Sequence, residues 1–282
     1  RRSLVTELVP PEEITNATSL NTAVMTSSRI VGPAIGAVLV GALGTGVCFL
    51  LNGATFSVII FSLTALRTNE MYSSPPRPKG GQPVRDAMRF IVGRRNLLVL
   101  FVVLLVVSTF AFNQQVVFPK LADLKWGGDQ SFGYVLGVMS VGSLTGALLT
   151  ARLRHVSLRW YFGNAIVLSV TAIGIAWAPN IWVAFLWAMP MGLGASGFIT
   201  AANAIMQQDS PSDMRGRLMA LQAVVFLGST PIGGPITGVI ADRVSVEWAL
   251  GYGSVISLLV VAGASLYWLA TAQRRAETAL ER

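Results

Sequence analysis

The chain has 282 residues, 53% hydrophobic and only 12% charged, with a mean hydropathy of +0.61 and a formal net charge of +8. A soluble domain carries about 25% charged residues, so this composition excludes water as the main solvent and points to lipid. A single cysteine, Cys48, excludes a disulfide framework and a Cys-based metal site.

Eight stretches approach the ~20 apolar residues that cross ~30 Å of hydrocarbon. They run 21–44, 46–66, 97–118, 132–151, 160–178, 181–205, 218–240 and 248–270, and none contains Asp, Glu or Lys. The expected fold class is an all-α membrane protein with eight transmembrane helices. The expected boundaries are 1–66 for a pair of helices, 67–96 for a loop, 97–270 for six helices and 271–282 for a tail.

The first span holds the one intramembrane charge, Arg29, a turn before Gly32-Pro33-Ala34-Ile35-Gly36. A charge at that depth costs at least ~2.5–3.5 kcal/mol unless it is paired or wetted. Arg29 therefore either acts on a substrate or a missing acid, or snorkels to the headgroups. Pro33 removes a helical hydrogen bond and predicts a kink, while Gly32 and Gly36 form a small-xxx-small face for close helix approach.

The loop 67–96 opens with Ser73-Ser74-Pro75-Pro76-Arg77-Pro78-Lys79-Gly80-Gly81, which neither Pro nor Gly allows to become helical. Val84, Met88, Ile91 and Val92 then share one helical face. That pattern reads either as a helix lying on the membrane surface or as a helical extension packed on a neighbour.

Within the third span, Phe110, Phe112, Asn113, Gln114 and Gln115 form an aromatic and amide cluster. Amides bind polar substrate groups without the cost of a buried charge, and the phenyl rings can stack on an aromatic substrate. An outer interface position, with Pro119 and Lys120 close behind, is the alternative. Asn203, Gln207 and Gln208 close the sixth span, at an inner cavity mouth or at a solvated helix end. Gly133, Gly137, Gly142 and Gly146 read as close-packing positions, and Trp160, Trp177, Trp182, Trp248 and Trp268 as interface anchors. Asp213, Arg215 and Arg217 form a charged turn before the seventh span.

Alternate loops hold 17 of the 21 Lys and Arg residues, against Lys120, Lys125 and Arg243 on the other side and Arg29 within a span. Excess Lys and Arg mark the cytoplasmic side, so both ends of the chain are expected there, in the inner or plasma membrane of a cell. No basic face interleaves with aromatics, which excludes nucleic acid as a partner.

The Gly-Pro pattern of the first span recurs 202 positions later as Gly234-Pro235-Ile236-Thr237-Gly238. At that offset, spans 21–44 and 46–66 pair with 218–240 and 248–270, and the four spans between have no counterparts. The repeat implies two related halves. It also implies four further helices before Arg1, a chain of twelve in all, and a fragment that cannot transport alone.

Six plus six spans, a long central loop and Gly-Pro-rich fifth and eleventh helices resemble the major facilitator superfamily. Ser28 to Ala37 is similar to its fifth-helix antiporter motif, with Ala37 in place of a final Gly. Asp213-Met214-Arg215-Gly216-Arg217-Leu218-Met219-Ala220-Leu221 and Leu51-Asn52-Gly53-Ala54-Thr55-Phe56-Ser57 resemble the bacterial drug and siderophore efflux branch that includes the enterobactin exporter. The resemblance implies a major facilitator fold of two six-helix halves, present here as helices five to twelve. It makes Gly32, Pro33, Gly36, Gly234, Pro235 and Gly238 matched gating kinks, or ordinary packing positions. It makes the amide cluster and Asn203 candidates for the substrate cavity, and Asp213, Arg215 and Arg217 a cytoplasmic latch or a positive-inside anchor. Gly146 to Arg152 resembles a degenerate cytoplasmic loop motif, with Thr150 and Ala151 where its acid would stand.

The spans hold no acid and no His, and no Gly-Lys-Ser/Thr phosphate loop exists. Neither catalysis nor ATP hydrolysis has its residues here, and no cofactor is called for. The expected function is export of amphipathic small molecules by proton antiport and alternating access, with protons, substrate and bilayer as partners. An uptake symporter on the same fold and a non-transporting scaffold or receptor are the alternatives.

Overall fold

The computed structural model describes residues 8–67, 71–72 and 83–280, and every regular element among them is helical. The chain divides into two compact units, residues 1–81 and 82–282.

In the first unit, Pro11 starts a 3₁₀ turn, Pro11–Glu13, that feeds helix α1, Ile14–Thr64. At 1.5 Å per residue its 51 residues extend about 76 Å. The break expected at residue 45 between spans 21–44 and 46–66 is absent, and one helix runs through both. A reversal there would need a second helical surface to pack upon, and the described part of this unit offers only the 3₁₀ turn. Helical hydrogen bonding, by contrast, is local and continues through Gly41, Gly44 and Gly46. Hydroxyls along α1 turn back to their own helix, as Ser57 Oγ does to Gly53 O at 3.1 Å and Ser62 Oγ to Val58 O at 2.8 Å. Those bonds satisfy polar groups that lipid cannot.

The second unit begins with α2, Pro83–Val92, and α3, Arg95–Phe110. There follow α4, Gln114–Lys125, and α5, Asp129–Ala151. The unit ends with α6 (Leu158–Ala176), α7 (Ile181–Gln208), α8 (Ser212–Arg243) and α9 (Val246–Leu280). The turn from α4 to α5 uses Gly127 and Gly128 at φ +90° and +105°, where a side chain would strain the backbone. Ser157 and Asn180 cap α6 and α7 through Trp160 N and Val183 N.

Packing runs α5 on α7, α7 on α6, α6 on α9, α9 on α3 and α3 on α8. Counting α3 and α4 as one interrupted crossing, this is a body of six spans. Close approach depends on glycine at the crossings. A Cβ on Gly142 or Gly192 would overlap the backbone of the facing helix at Met189 or Met139, and one on Gly194 would come within 2.6 Å of Leu168 N. Such contacts carry helix association in lipid, where the hydrophobic effect gives no drive between helices. Gly146 packs in this way against Leu193, while Gly137 meets nothing within 4 Å.

Seven described stretches are long and apolar enough to cross a membrane: 46–64, 95–125, 130–151, 158–176, 181–208, 214–243 and 246–271. The expected eighth, 21–44, is not a separate helix.

Helix α2 corrects one detail of the sequence pattern. Ala87 and Ile91 are buried, and Phe90 packs on the same core. Val84, Met88 and Val92, expected on one face with Ile91, are exposed. The helix packs on α3 and α8 by a face centred on Ala87, and a second apolar stripe remains outside.

Candidate functional site

The most distinctive local structure in the second unit is the interruption Ala111-Phe112-Asn113 between α3 and α4. In an unbroken helix the carbonyls of Thr109 and Phe110 would accept from the backbone N–H groups four residues on. Here the side chain of Asn113 does that work: Nδ2 donates to Thr109 O at 2.8 Å and to Phe110 O at 3.4 Å. Asn competes with the backbone in this way because its amide is short and polar. Thr109 adds a further local bond, from Oγ1 to Leu105 O at 2.6 Å.

Two glycines hold this interruption from outside. A Cβ on Gly233 of α8 would overlap Thr109 O and lie 3.0 Å from Asn113 Nδ2. A Cβ on Gly253 of α9 would overlap Phe110 O. Next to Gly253, Tyr252 meets Phe110 edge to face at 6.2 Å and shares a 3.0 Å hydrogen bond with the buried Thr237 Oγ1.

Phe112 leads into a run of rings. It meets Phe226 of α8 at 5.1 Å and Phe198 of α7 at 6.3 Å. Phe198 stacks on Tyr161 of α6 at 4.5 Å, and Tyr161 donates its hydroxyl proton to Leu100 O at 3.0 Å.

The three amides of the cluster separate by role. Asn113 is 3% exposed and committed to the helix ends. Gln114 carries a buried Oε1 with no hydrogen-bond partner, and Gln115 is exposed. A buried, unpaired carbonyl oxygen costs about 1–3 kcal/mol, so Gln114 is the member of the cluster with unused binding capacity. Asn203 is half-buried on α7.

Beyond the interruption, α4 carries Lys120 and Lys125 to the end of the body where α8 turns into α9. Lys120 pairs with Asp242, and Lys125 with Glu247 at 2.5 Å. The opposite end is rich in arginine. Arg217 pairs with Asp86 of α2 at 3.2 Å, and Arg215 Nε donates to Ser210 O at 3.0 Å. The charged turn therefore reaches α2 through Arg217, while Arg215 braces its own turn. Thr150, which with Ala151 replaces the acid of the motif that this segment resembles, accepts from Trp160 Nε1 at 3.0 Å.

The side chains of Arg29, Gly32, Pro33, Gly36 and Asp213 lie outside the described residues, although the backbone at each is helical. On α8, Gly234 and Gly238 meet nothing within 4 Å and Pro235 is exposed, so the close approach on that helix belongs to Gly233. In the sequence Gly233 belongs with Pro231, Gly234, Pro235 and Gly238 to the second Gly-Pro cluster, read as kink and close-packing positions, and the structure gives the close contact to Gly233. Sequence reasoning passes over Gly253, Tyr252, Phe226 and Asp86, because their contacts depend on the packing order of the helices.

A multi-pass membrane body of six spans, with its first crossing interrupted at a polar cluster, has the build of a small-molecule carrier. The family described as transmembrane secretion effector, within the major facilitator superfamily, matches residues 2–280, and the chain belongs to it. That family consists of transporters, not enzymes. The chain is 27% identical over 239 residues to the multidrug efflux pump Tap of Mycolicibacterium fortuitum, covering 82% of this chain and 58% of that protein. It is 30% identical over 136 residues to a gentisate transporter of Corynebacterium glutamicum, covering 47% of this chain and 28% of that protein. A bacterial homologue of the human lysosomal transporter Spinster, solved inward-facing and unoccupied, shares the fold with a TM-score of 0.60 at 14% identity. That match covers 96% of this chain and 73% of the other.

Proposed function

We propose that the whole protein is a secondary exporter of amphipathic small molecules, driven by proton exchange and working by the rocking of its two halves. The observation that carries this reading is the interruption at 111–113. It leaves one acceptor, Gln114 Oε1, buried and unpaired inside the span that also carries Phe110 and Phe112. An uncharged acceptor in a span that carries aromatic rings suits a substrate that is mostly apolar with a few donors. The efflux pump among the relatives supports the direction.

In this reading, residues 1–66 belong to one half, 67–96 to the connecting loop, 97–270 to the second half and 271–282 to a tail. Further helices complete the first half and hold the acid that couples transport to protons, because the visible spans carry none. Arg29 is the charge that answers that acid or an anionic substrate group. Gly32, Pro33 and Gly36 in the first half, and Gly234, Pro235 and Gly238 in the second, act as matched gating kinks. Helix ends held by Asp213, Arg215 and Arg217 close its inner mouth. The membrane is the plasma membrane, with both ends of the chain on the cytoplasmic side.

Transport by the complete protein in everted vesicles tests the proposal. Uptake of a fluorescent cationic drug that collapses on adding an uncoupler is the expected result. Movement in the opposite direction along a proton gradient overturns export.

A further inference from the structure

At the arginine-rich end of the second unit, α3 starts at Arg95 behind Arg94, with no side-chain cap. The α3 N-terminus therefore leaves N–H groups without intrahelical partners and carries a positive partial charge. Helix α8 starts behind Pro211, also without a side-chain cap. These two starts flank an open pocket of about 740 Å³, lined by Arg94, Arg95, Asn96, Gln208, Asp209 and Ser210 among others.

Two polar groups of this lining are buried and unpartnered, Arg95 Nε and Ser210 Oγ, and Ser210 is only 4% exposed. The rest of Arg95 is fixed: its guanidinium lies over the Tyr267 ring at 4.3 Å, donates to Tyr267 O at 3.1 Å and meets Thr271 Oγ1. Arg94 is fixed too, stacked on Phe90 at 4.2 Å and donating to Asp209 O at 2.5 Å. With its amide oriented to satisfy both ends, Gln208 donates to Val156 O at 3.2 Å and accepts from Val156 N at 3.3 Å, which ties the α5–α6 loop to the rim. Against the positive groups stand the Asp209 carboxylate and the C-terminal end of α7. Two guanidinium groups and two uncapped helix starts outweigh them.

We propose that this pocket binds phosphate, either on an anionic lipid headgroup or as the free inorganic ion. Arg95 Nε, Ser210 Oγ and the first-turn N–H groups of α3 are its donors. Guanidinium, hydroxyl and helix-start N–H together form the donor set that phosphate oxygens take. The site lies at the arginine-rich end of the second unit, apart from the interruption at 111–113, and does not depend on the direction of transport.

The test uses the full chain, purified and delipidated in neutral detergent. Native mass spectrometry compares adducts of phosphatidylglycerol and phosphatidylcholine, and phosphorus NMR follows line broadening of inorganic phosphate. A phosphatidylglycerol preference that millimolar phosphate does not displace identifies the lipid as the source. Phosphate broadening without lipid preference identifies the free ion. Ser210→Ala should weaken either by roughly tenfold, and Ser210→Asp should abolish it. The wild-type measurements stand without any variant, and light-scattering melts show whether each variant is folded. Neither lipid preference nor phosphate broadening in the wild type overturns the site, as does unchanged binding in a folded Ser210→Asp.

Discussion

Asn113 and Gln114 are adjacent amides with opposite roles, and the difference can be measured. Asn113→Leu removes the donor from Thr109 O and Phe110 O, leaving two carbonyls unpaired inside the span. A loss of about 1–3 kcal/mol for each buried group so exposed should appear as a lower unfolding midpoint in detergent. Gln114→Leu removes an oxygen that already lacks a partner, so the unfolding midpoint should hold or rise while transport by the complete protein falls. Equal loss of stability in both variants would refute the division. Gly233 belongs to the same argument. Gly233→Ala sets a methyl against Thr109 O and the Asn113 amide and should destabilise, whereas Gly234→Ala, with open space around it, should leave the midpoint unchanged. The polar cluster was legible from sequence because amides are rare in apolar spans. Its division of labour was not, because that depends on which carbonyls the break leaves free.

Helix α2 shows how far periodicity carries at the scale of the element. Its existence follows from the sequence, but the face expected at 84, 88, 91 and 92 is split, with only Ile91 of the four buried. Ala87, a small residue that pattern reading ignores, is what lets the helix settle on α3 and α8, and this leaves Val84, Met88 and Val92 outside. An exposed apolar stripe beside the arginine-rich end of a membrane body fits the headgroup region. With Cys48 replaced by Ala, single cysteines at 88 and 89 in reconstituted protein should separate. Residue 89 should react quickly with an aqueous maleimide and residue 88 slowly, and equal rates would place α2 in water. The Asp86–Arg217 pair across this contact is about half-exposed on both sides and contributes no more than about 1 kcal/mol, less than the apolar contact through Ala87 and Ile91. The long helix α1 marks the opposite limit of periodicity. Two apolar runs that meet at Thr45, between Gly44 and Gly46, read as a hairpin, but glycine permits a turn without requiring one. The reversal depends on packing partners that local sequence does not name.

The buried apolar core defines the scale of the whole molecule. Every fully buried hydrophobic residue described, from Ala87 to Val261, belongs to the second unit. The glycine crossings that set helix distances, α5 with α7, α6 with α7, and α3 with α8 and α9, also lie within it. Charged groups fasten both ends of the same body, Lys120–Asp242 and Lys125–Glu247 at one, and Arg95 with Tyr267 and Thr271 at the other. Helix association in lipid rests on such close contacts, so a unit with this many among its described residues should assemble alone. Residues 82–282 expressed without 1–81 are therefore expected to insert as a protease-resistant body. Gly253→Leu, which drives a larger side chain into Phe110 O, should make that body labile. Rapid digestion of the unmodified 82–282 segment in membranes, under conditions where the full chain survives, would show that its stability is borrowed from the first unit.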